Sequence, residues 1–214
     1  MKAATMFSGI GAPETAMPEW DWLWHAEIEP FPSAVMAARH PGSINLGDVS
    51  APDFAERAID AGRPDVIVFG SPCQSFSVAG KRLGLDDARG NLALVALGVI
   101  NKIRPHYFVF ENVPGLISSA GGEDFRVLLE TINEIGYYID GDILDARFHG
   151  VPQRRRRVFL VCENADLGRK KRTSSYAATA LNCLIDISLS CLAAHTKRFE
   201  ADGIVLEPRG RYSP

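Results

Sequence analysis

Asp65-Val66-Ile67-Val68-Phe69-Gly70-Ser71-Pro72-Cys73-Gln74-Ser75-Phe76 opens on four consecutive apolar residues, Val66 to Phe69, and stops abruptly in Gly-Ser-Pro. A short branched and aromatic run closed by a turn signal is the mark of a buried parallel strand, apolar on both faces. Cys73 then sits just past the carboxyl end of that strand, which in an open α/β sheet is the edge where ligands bind. Gly70 permits a sharp turn and Pro72 fixes its own φ, so the thiol is presented on a stiff loop. Two readings of Cys73 stand side by side: a small buried hydrophobe, the commoner fate of a lone cysteine, and a nucleophile.

Working outward, Tyr107-Phe108-Val109-Phe110-Glu111-Asn112-Val113-Pro114-Gly115 repeats the same design, an apolar strand ending in polar residues and a Pro-Gly turn. If the two strands are neighbours, a thiol and a carboxyl reach the same rim. Apolar neighbours would desolvate Glu111 and raise its pKa, so that it could donate a proton near neutral pH. An ordinary strand-end acid is the bland alternative. Between these strands lie Gly80 to Gly90, a Gly- and charge-rich loop long enough for a lid, and Asn91 to Ile103, apolar on most faces like a helix buried against a sheet.

The N-terminal third alternates in the same way. Ala3 to Phe7 reads as a strand, Ser8-Gly9-Ile10-Gly11-Ala12-Pro13-Glu14 as a glycine-rich turn, and a helix follows through Met17. Such a turn lets a ligand approach backbone and helix N-terminus, although a GxG alone is weak evidence. Trp22 to Ile28 is a second strand with Glu27 and Glu29 at its end, where nucleotide-binding folds place an acid that accepts from ribose hydroxyls. Pro32 to His40 supplies a helix. Ile44 to Val49 is a third strand bearing Asp48, which could accept from an adenine amino group or cap the Pro52 to Ala61 helix.

Beyond Glu111, the apolar residues Phe125, Leu128, Leu129, Ile132 and Ile135 recur at helical spacing and stop at Gly136. Tyr137 to Leu144 and Val158 to Cys162 are two more strands. The segment His149-Gly150-Val151-Pro152-Gln153-Arg154-Arg155-Arg156-Arg157 joins them. Alternation along a strand puts Arg155 and Arg157 on one face and Arg154 and Arg156 on the other, so at most two enter one site.

With 214 residues, 46% hydrophobic and 23% charged, the chain suits one α/β domain with a sizeable core. Its net charge is −3, yet eight of its 23 basic residues fall in two blocks, Arg154 to Arg157 and Arg169 to Arg172. That asymmetry can put a phosphate-binding face on an acidic protein, a solvated arginine-rich turn being the alternative. Cys73, Cys162, Cys183 and Cys191 show no short paired spacing, so no metal site or disulfide framework is expected and a reducing cytoplasm is the default. No secretion signal opens the chain, and Ala177 to Ala194, broken by Asn182 and Asp186, is a poor membrane span.

Four of these strings together resemble the DNA (cytosine-5) methyltransferases. Phe7-Ser8-Gly9-Ile10-Gly11 is similar to their cofactor motif and Pro72-Cys73-Gln74 to their nucleophile loop. Glu111-Asn112-Val113 is similar to their second catalytic motif and Gln153-Arg154-Arg155-Arg156-Arg157 to their QxRxR element. The resemblance implies a doubly wound, mostly parallel Rossmann-like sheet and methyl transfer from S-adenosylmethionine to carbon 5 of a cytosine flipped out of double-stranded DNA. It implies Cys73 as nucleophile, Glu111 at ring nitrogen 3, and Arg157 and Arg155 on the carbonyl oxygen. For the cofactor it implies Phe7, Gly9 and Gly11 at the turn, Glu27 at the ribose, Asp48 at the adenine amino group, Ile28 and Val49 as further binding residues, and Pro72 and Leu92 as pocket wall. Asn112 would buttress the Cys73 loop.

Residues 1–164 thus read as the catalytic domain, and 165–214 as a basic linker with an incomplete or divergent C-terminal segment lacking the family's recognition domain and its final Asn-containing segment. Alternatives are a split enzyme whose second chain supplies recognition, a non-catalytic DNA-binding fragment, and a tRNA cytosine-5 methyltransferase. A dinucleotide-dependent oxidoreductase would explain the turn and Glu27 but leave Pro72-Cys73-Gln74 without a role.

Overall fold

Strand β1 (Lys2–Met6) is third in a sheet of seven strands among the described residues, and the order of its neighbours fixes where a ligand can bind. A computed structural model describes residues 1–72, 91–150 and 152–167. After β1 come helix α1 (Ala12–Ala16), β2 (Asp21–Ala26), α2 (Pro30–Arg39), β3 (Ile44–Asn45), α3 (Phe54–Ala61) and β4 (Val66–Phe69). The second half holds α4 (Leu92–Ile103), β5 (Tyr107–Asn112), α5 (Gly115–Ser118), α6 (Glu123–Glu134), β6 (Tyr137–Asp145) and β7 (Arg156–Asn164). The sheet order is β3-β2-β1-β4-β5-β7-β6, with the first five strands parallel and β7 antiparallel to both of its neighbours.

The chain winds outward from β1 to β3, then returns to start β4 on the other side of β1. At such a reversal the loops after adjacent strands part and leave a crevice at the carboxyl ends. The glycine turn follows β1 and the Gly70-Ser71-Pro72 loop follows β4, so both motifs meet at this one crevice. Strand β4 is buried along its whole length, as four apolar residues in a row require. Its partner β5 pairs in register, Val66 with Tyr107 through Phe69 with Phe110, which brings the ends of the two strands level.

The larger core lies on the face covered by α3, α4 and α6, where Phe69, Phe108, Phe110 and Tyr137 pack with ring centroids 4.9 to 6.0 Å apart. The opposite face carries a smaller cluster of Ala3, Val66, Val68, Val109 and Phe159, against which Ala16, Trp20 and Trp22 pack. Helix α4 starts where Asn91 caps the amides of Ala93 and Leu94 and is buried on most of its faces, as its composition requires. Cys162 is buried in β7, where burial pushes its thiol well up and makes it inert.

Two elements differ from the sequence expectation. The third strand is two residues long and ends before Asp48, because Asn45 turns its side chain onto the Gly47 amide and Gly47 adopts a positive φ of 72°. The helix after it begins at Phe54, and Asp48 does not cap it. Instead Asp48 closes its own turn, its Oδ1 accepting from the amide (2.8 Å) and hydroxyl (2.7 Å) of Ser50. Cys73, Gln74, the Gly80 to Gly90 loop, Val151 and the Arg169 to Arg172 block lie outside the described residues.

Candidate active site

The glycine turn after β1 is built against the end of β2. Phe7, Gly9 and Gly11 all have positive φ (55°, 56° and 80°), so the chain reverses tightly after β1. For Phe7 this conformation costs about 1–3 kcal/mol, a strain that accumulates at ligand-binding turns. A Cβ on Gly11 would lie 2.5 Å from Met36 Sδ, whereas one on Gly9 would meet nothing within 4 Å. Gly11 is therefore needed for packing, and Gly9 faces open space into which a ligand can come. The Glu27 carboxylate clamps the turn: Oε2 accepts from the Gly9 amide (2.7 Å) and Oε1 from the Glu29 amide (2.8 Å).

Around Glu27 the backbone is held by Asn45, which sequence reasoning passed over. Its Oδ1 accepts from the Glu27 amide (3.2 Å) and its Nδ2 donates to the Glu27 carbonyl (3.1 Å). Ile28, 65% exposed, stands beside it as a bare apolar surface. Asp48 is exposed, with Oδ2 unbonded among the described residues, while Val49 is 4% exposed and part of the core. Pro72 is exposed at the tip of the β4 loop and Leu92 is half-buried in the first turn of α4.

The second half of the site is an acid gripped by an arginine. Glu111 Oε1 lies 2.8 Å from Arg157 Nε, with the two side chains 29% and 22% exposed. Burial pushes the Glu111 carboxyl up from its ordinary value, and the charges of Arg157 and Arg155 with the Arg157 hydrogen bond only partly reverse it. The close approach depends on Gly70, since a Cβ there would come within 3.0 Å of Glu111 Oε2 and 3.3 Å of its carbonyl oxygen. The next residue, Asn112, is buried and donates from Nδ2 to the Ser71 carbonyl (3.2 Å), two residues ahead of Cys73. Its own Oδ1 accepts from the Val113 amide (2.8 Å), so its orientation is fixed from both ends.

The four arginines divide as strand alternation requires. Arg155 and Arg157 are half-buried on the Glu111 side, and Arg154 and Arg156 are exposed. The structure thus brings Glu111, Arg155, Arg157, Asn112, Ser71 and Pro72 to the rim shared with Phe7, Gly9, Gly11 and Glu27. Chemically this rim offers a proton donor or hydrogen-bond donor beside fixed positive charge, suited to a planar ring that gains electron density. Among the described residues no group of three or more His, Cys, Asp or Glu side chains could hold a metal ion.

A family profile described as C-5 cytosine-specific DNA methylase matches residues 1–189. The chain belongs to that family. Among its relatives, the orphan methyltransferase M.Rho11sI of Bacillus phage rho11s is 38% identical over 173 residues, covering 78% of this chain and 34% of the phage protein. The type II methyltransferase M.NlaIV of Neisseria lactamica is 34% identical over 151 residues, covering 64% of this chain and 33% of its own length. A crystal structure of a DNA modification methyltransferase encoded within a prophage (E. coli) superposes with a TM-score of 0.63 at 25% identity, over 78% of this chain and 47% of that one. The chain spans about a third of the length of these curated relatives. Among the described residues no helix is long and apolar enough to cross a membrane.

Proposed function

We propose that this chain carries the catalytic core of a DNA methyltransferase that moves a methyl group from S-adenosylmethionine to carbon 5 of a cytosine flipped out of the duplex. The observation that carries the reading is the Glu111–Arg157 pair at the tip of β5, level with the tip of β4 and tied to it by Asn112 on Ser71. The cofactor turn fits the group the family implies. Gly9 leaves room for it, Glu27 has lone pairs left for ribose hydroxyls, Ile28 offers an apolar face to the adenine and Asp48 Oδ2 an acceptor to its amino group. Bound there, it supplies an electrophilic methyl group.

The residues of the chain make carbon 5 able to take that methyl. In this reading the Cys73 thiolate forms a bond to ring carbon 6, and the electron pair of the 5,6 double bond becomes available at carbon 5. Glu111, whose carboxyl burial shifts toward its protonated form, hydrogen-bonds ring nitrogen 3, while Arg157 and Arg155 hold the carbonyl oxygen; together they offset the charge that attack loads onto the ring. Once carbon 5 is methylated its proton is lost to a base, the carbon–sulfur bond breaks and the ring regains its double bond with the thiolate restored. Transfer of labelled methyl to duplex DNA, absent in Cys73→Ala, is the expected result. Transfer to tRNA in place of DNA would move the substrate class, and no transfer to either would overturn the reading.

A second reading keeps the fold and drops the catalysis. It is favoured by one fact, that the chain spans about a third of its curated relatives, so recognition of a target could come from a second chain or be missing. Stimulation of methyl transfer by an added recognition domain would support the split enzyme. DNA binding that is unchanged by Cys73→Ala, with no transfer under any pairing, would support a binding fragment.

A further inference from the structure

Glu14, in the first turn of α1, is 1% exposed, and nothing in its sequence surroundings marks it as more than a helix-start acid. Its Oε1 is bonded by the Thr5 hydroxyl, while Oε2 is buried and has no hydrogen-bond partner among the described residues. From Thr5 a chain of short contacts runs to the cofactor turn: Thr5 Oγ1 lies 2.7 Å from Ser8 Oγ, and Ser8 Oγ is 3.2 Å from both the amide and the carbonyl oxygen of Ala26. Ala26 precedes Glu27, whose carboxylate holds the Gly9 amide. One buried acid therefore sits at the root of the turn that closes on the ligand.

We propose that Glu14 is a positioning residue of the cofactor turn, its proton setting the direction of the Thr5–Ser8 hydrogen-bond relay that pins Ser8 and Gly9 against the end of β2. The inference rests on the reading that this turn holds S-adenosylmethionine. Two arrangements of the relay keep the Thr5–Ser8 hydrogen bond, and each fixes every hydroxyl proton. With Glu14 protonated, its O–H donates to Thr5, Thr5 donates to Ser8, and Ser8 donates to the Ala26 carbonyl, which clamps the turn to β2. With Glu14 ionised, Thr5 donates to Glu14 and Ser8 to Thr5, so the Ser8 hydroxyl's bond to the Ala26 carbonyl is lost and only the Ser8 amide (3.1 Å) still holds that carbonyl. The orphan Oε2 favours the first arrangement, since an unpaired carbonyl oxygen is far cheaper to bury than an unpaired charge. Burial accordingly pushes the Glu14 carboxyl up to about 7.

Among the described residues no charged side chain bonds to this carboxyl. Strand β1 presents Thr5 and the turn presents Ser8. The titratable groups of the neighbouring elements are engaged elsewhere: His25 on Ser43 (2.9 Å), His40 within 3.5 Å of Thr15 and Glu27 on Gly9 and Glu29. Burial lowers both histidines, so they stay neutral over the alkaline range in which Glu14 ionises.

Calorimetric binding of S-adenosylhomocysteine to the full chain, at pH 6.5 and pH 8.5, tests the proposal with wild type, Glu14→Gln and Glu14→Ala. The wild type is expected to bind about tenfold more weakly at the higher pH, the equivalent of one hydrogen bond. Glu14→Gln, which cannot ionise but can still donate to Thr5, is expected to bind with the same Kd at both values, and Glu14→Ala to be weak at both. Equal wild-type affinity at the two pH values, or the same pH dependence in Glu14→Gln, overturns the positioning role while leaving the cofactor reading intact. A wild type that binds at neither pH overturns both.

Discussion

Glu111 shows how one carboxyl is prepared by what surrounds it. Burial raises its pKa and Arg157 holds it back, so its protonated form persists to higher pH than that of a free glutamate and is lost as pH climbs past the shifted value. Glu111→Gln should lower kcat by about 10²- to 10⁴-fold, the usual worth of a positioned acid, with little change in cofactor KM. Arg157→Gln removes the charge that opposes the upward shift. Its pH–rate profile should show a lower rate and an alkaline limb displaced to higher pH, and an unmoved limb would mean that Glu111 is not the group observed. The acid itself was legible from an apolar run ending in Glu-Asn. Its arginine was legible only as a choice of two, because strand alternation separates Arg155 and Arg157 from their neighbours without saying which reaches across to β5. Glu14 was not legible, since the burial of a single acid depends on how α1 packs and not on local pattern.

Between elements, the contact that matters is Asn112 on the Ser71 carbonyl, a side chain of β5 holding the loop after β4. Asn112→Ala leaves that buried carbonyl unsatisfied at a cost of about 1–3 kcal/mol. Thermal denaturation should therefore show Tm lower by roughly 3–10 °C for a domain of this size. The same variant should lose kcat while S-adenosylhomocysteine binding is preserved, because the glycine turn is anchored separately through Glu27 and Ala26. The existence of β4, α4 and β5 was legible, since continuous apolar runs and a capping Asn leave little choice. It overextended the third strand, where Ile44 to Val49 alternate well but Asn45 and Gly47 prefer a turn. The antiparallel insertion of β7 between β5 and β6 had no local signature, because strand order is set by which edges are free to pair.

Over the whole molecule, the sheet order places its reversal between β1 and β4, and the two loops on which the proposal rests both issue from there. A ligand seated in that crevice should stabilise the chain by mass action. At a concentration of about 100 times Kd, S-adenosylhomocysteine should contribute about 2.7 kcal/mol. That corresponds to a Tm increase of roughly 5–10 °C in a thermal shift measurement. NAD giving the same shift in its place would favour a dinucleotide site.

The central claim is that a thiol and an acid from adjoining strand tips act on the same cytosine ring. Incubation with S-adenosylmethionine and duplex DNA carrying 5-fluorocytosine tests it most directly, because fluorine at carbon 5 cannot leave as the proton does and the carbon–sulfur bond then persists. The account predicts a covalent protein–DNA adduct that peptide mass spectrometry maps to Cys73, that is absent in Cys73→Ala and that forms much more slowly in Glu111→Gln. An adduct mapped to another residue, or wild type that forms none with a recognition domain added, would contradict it.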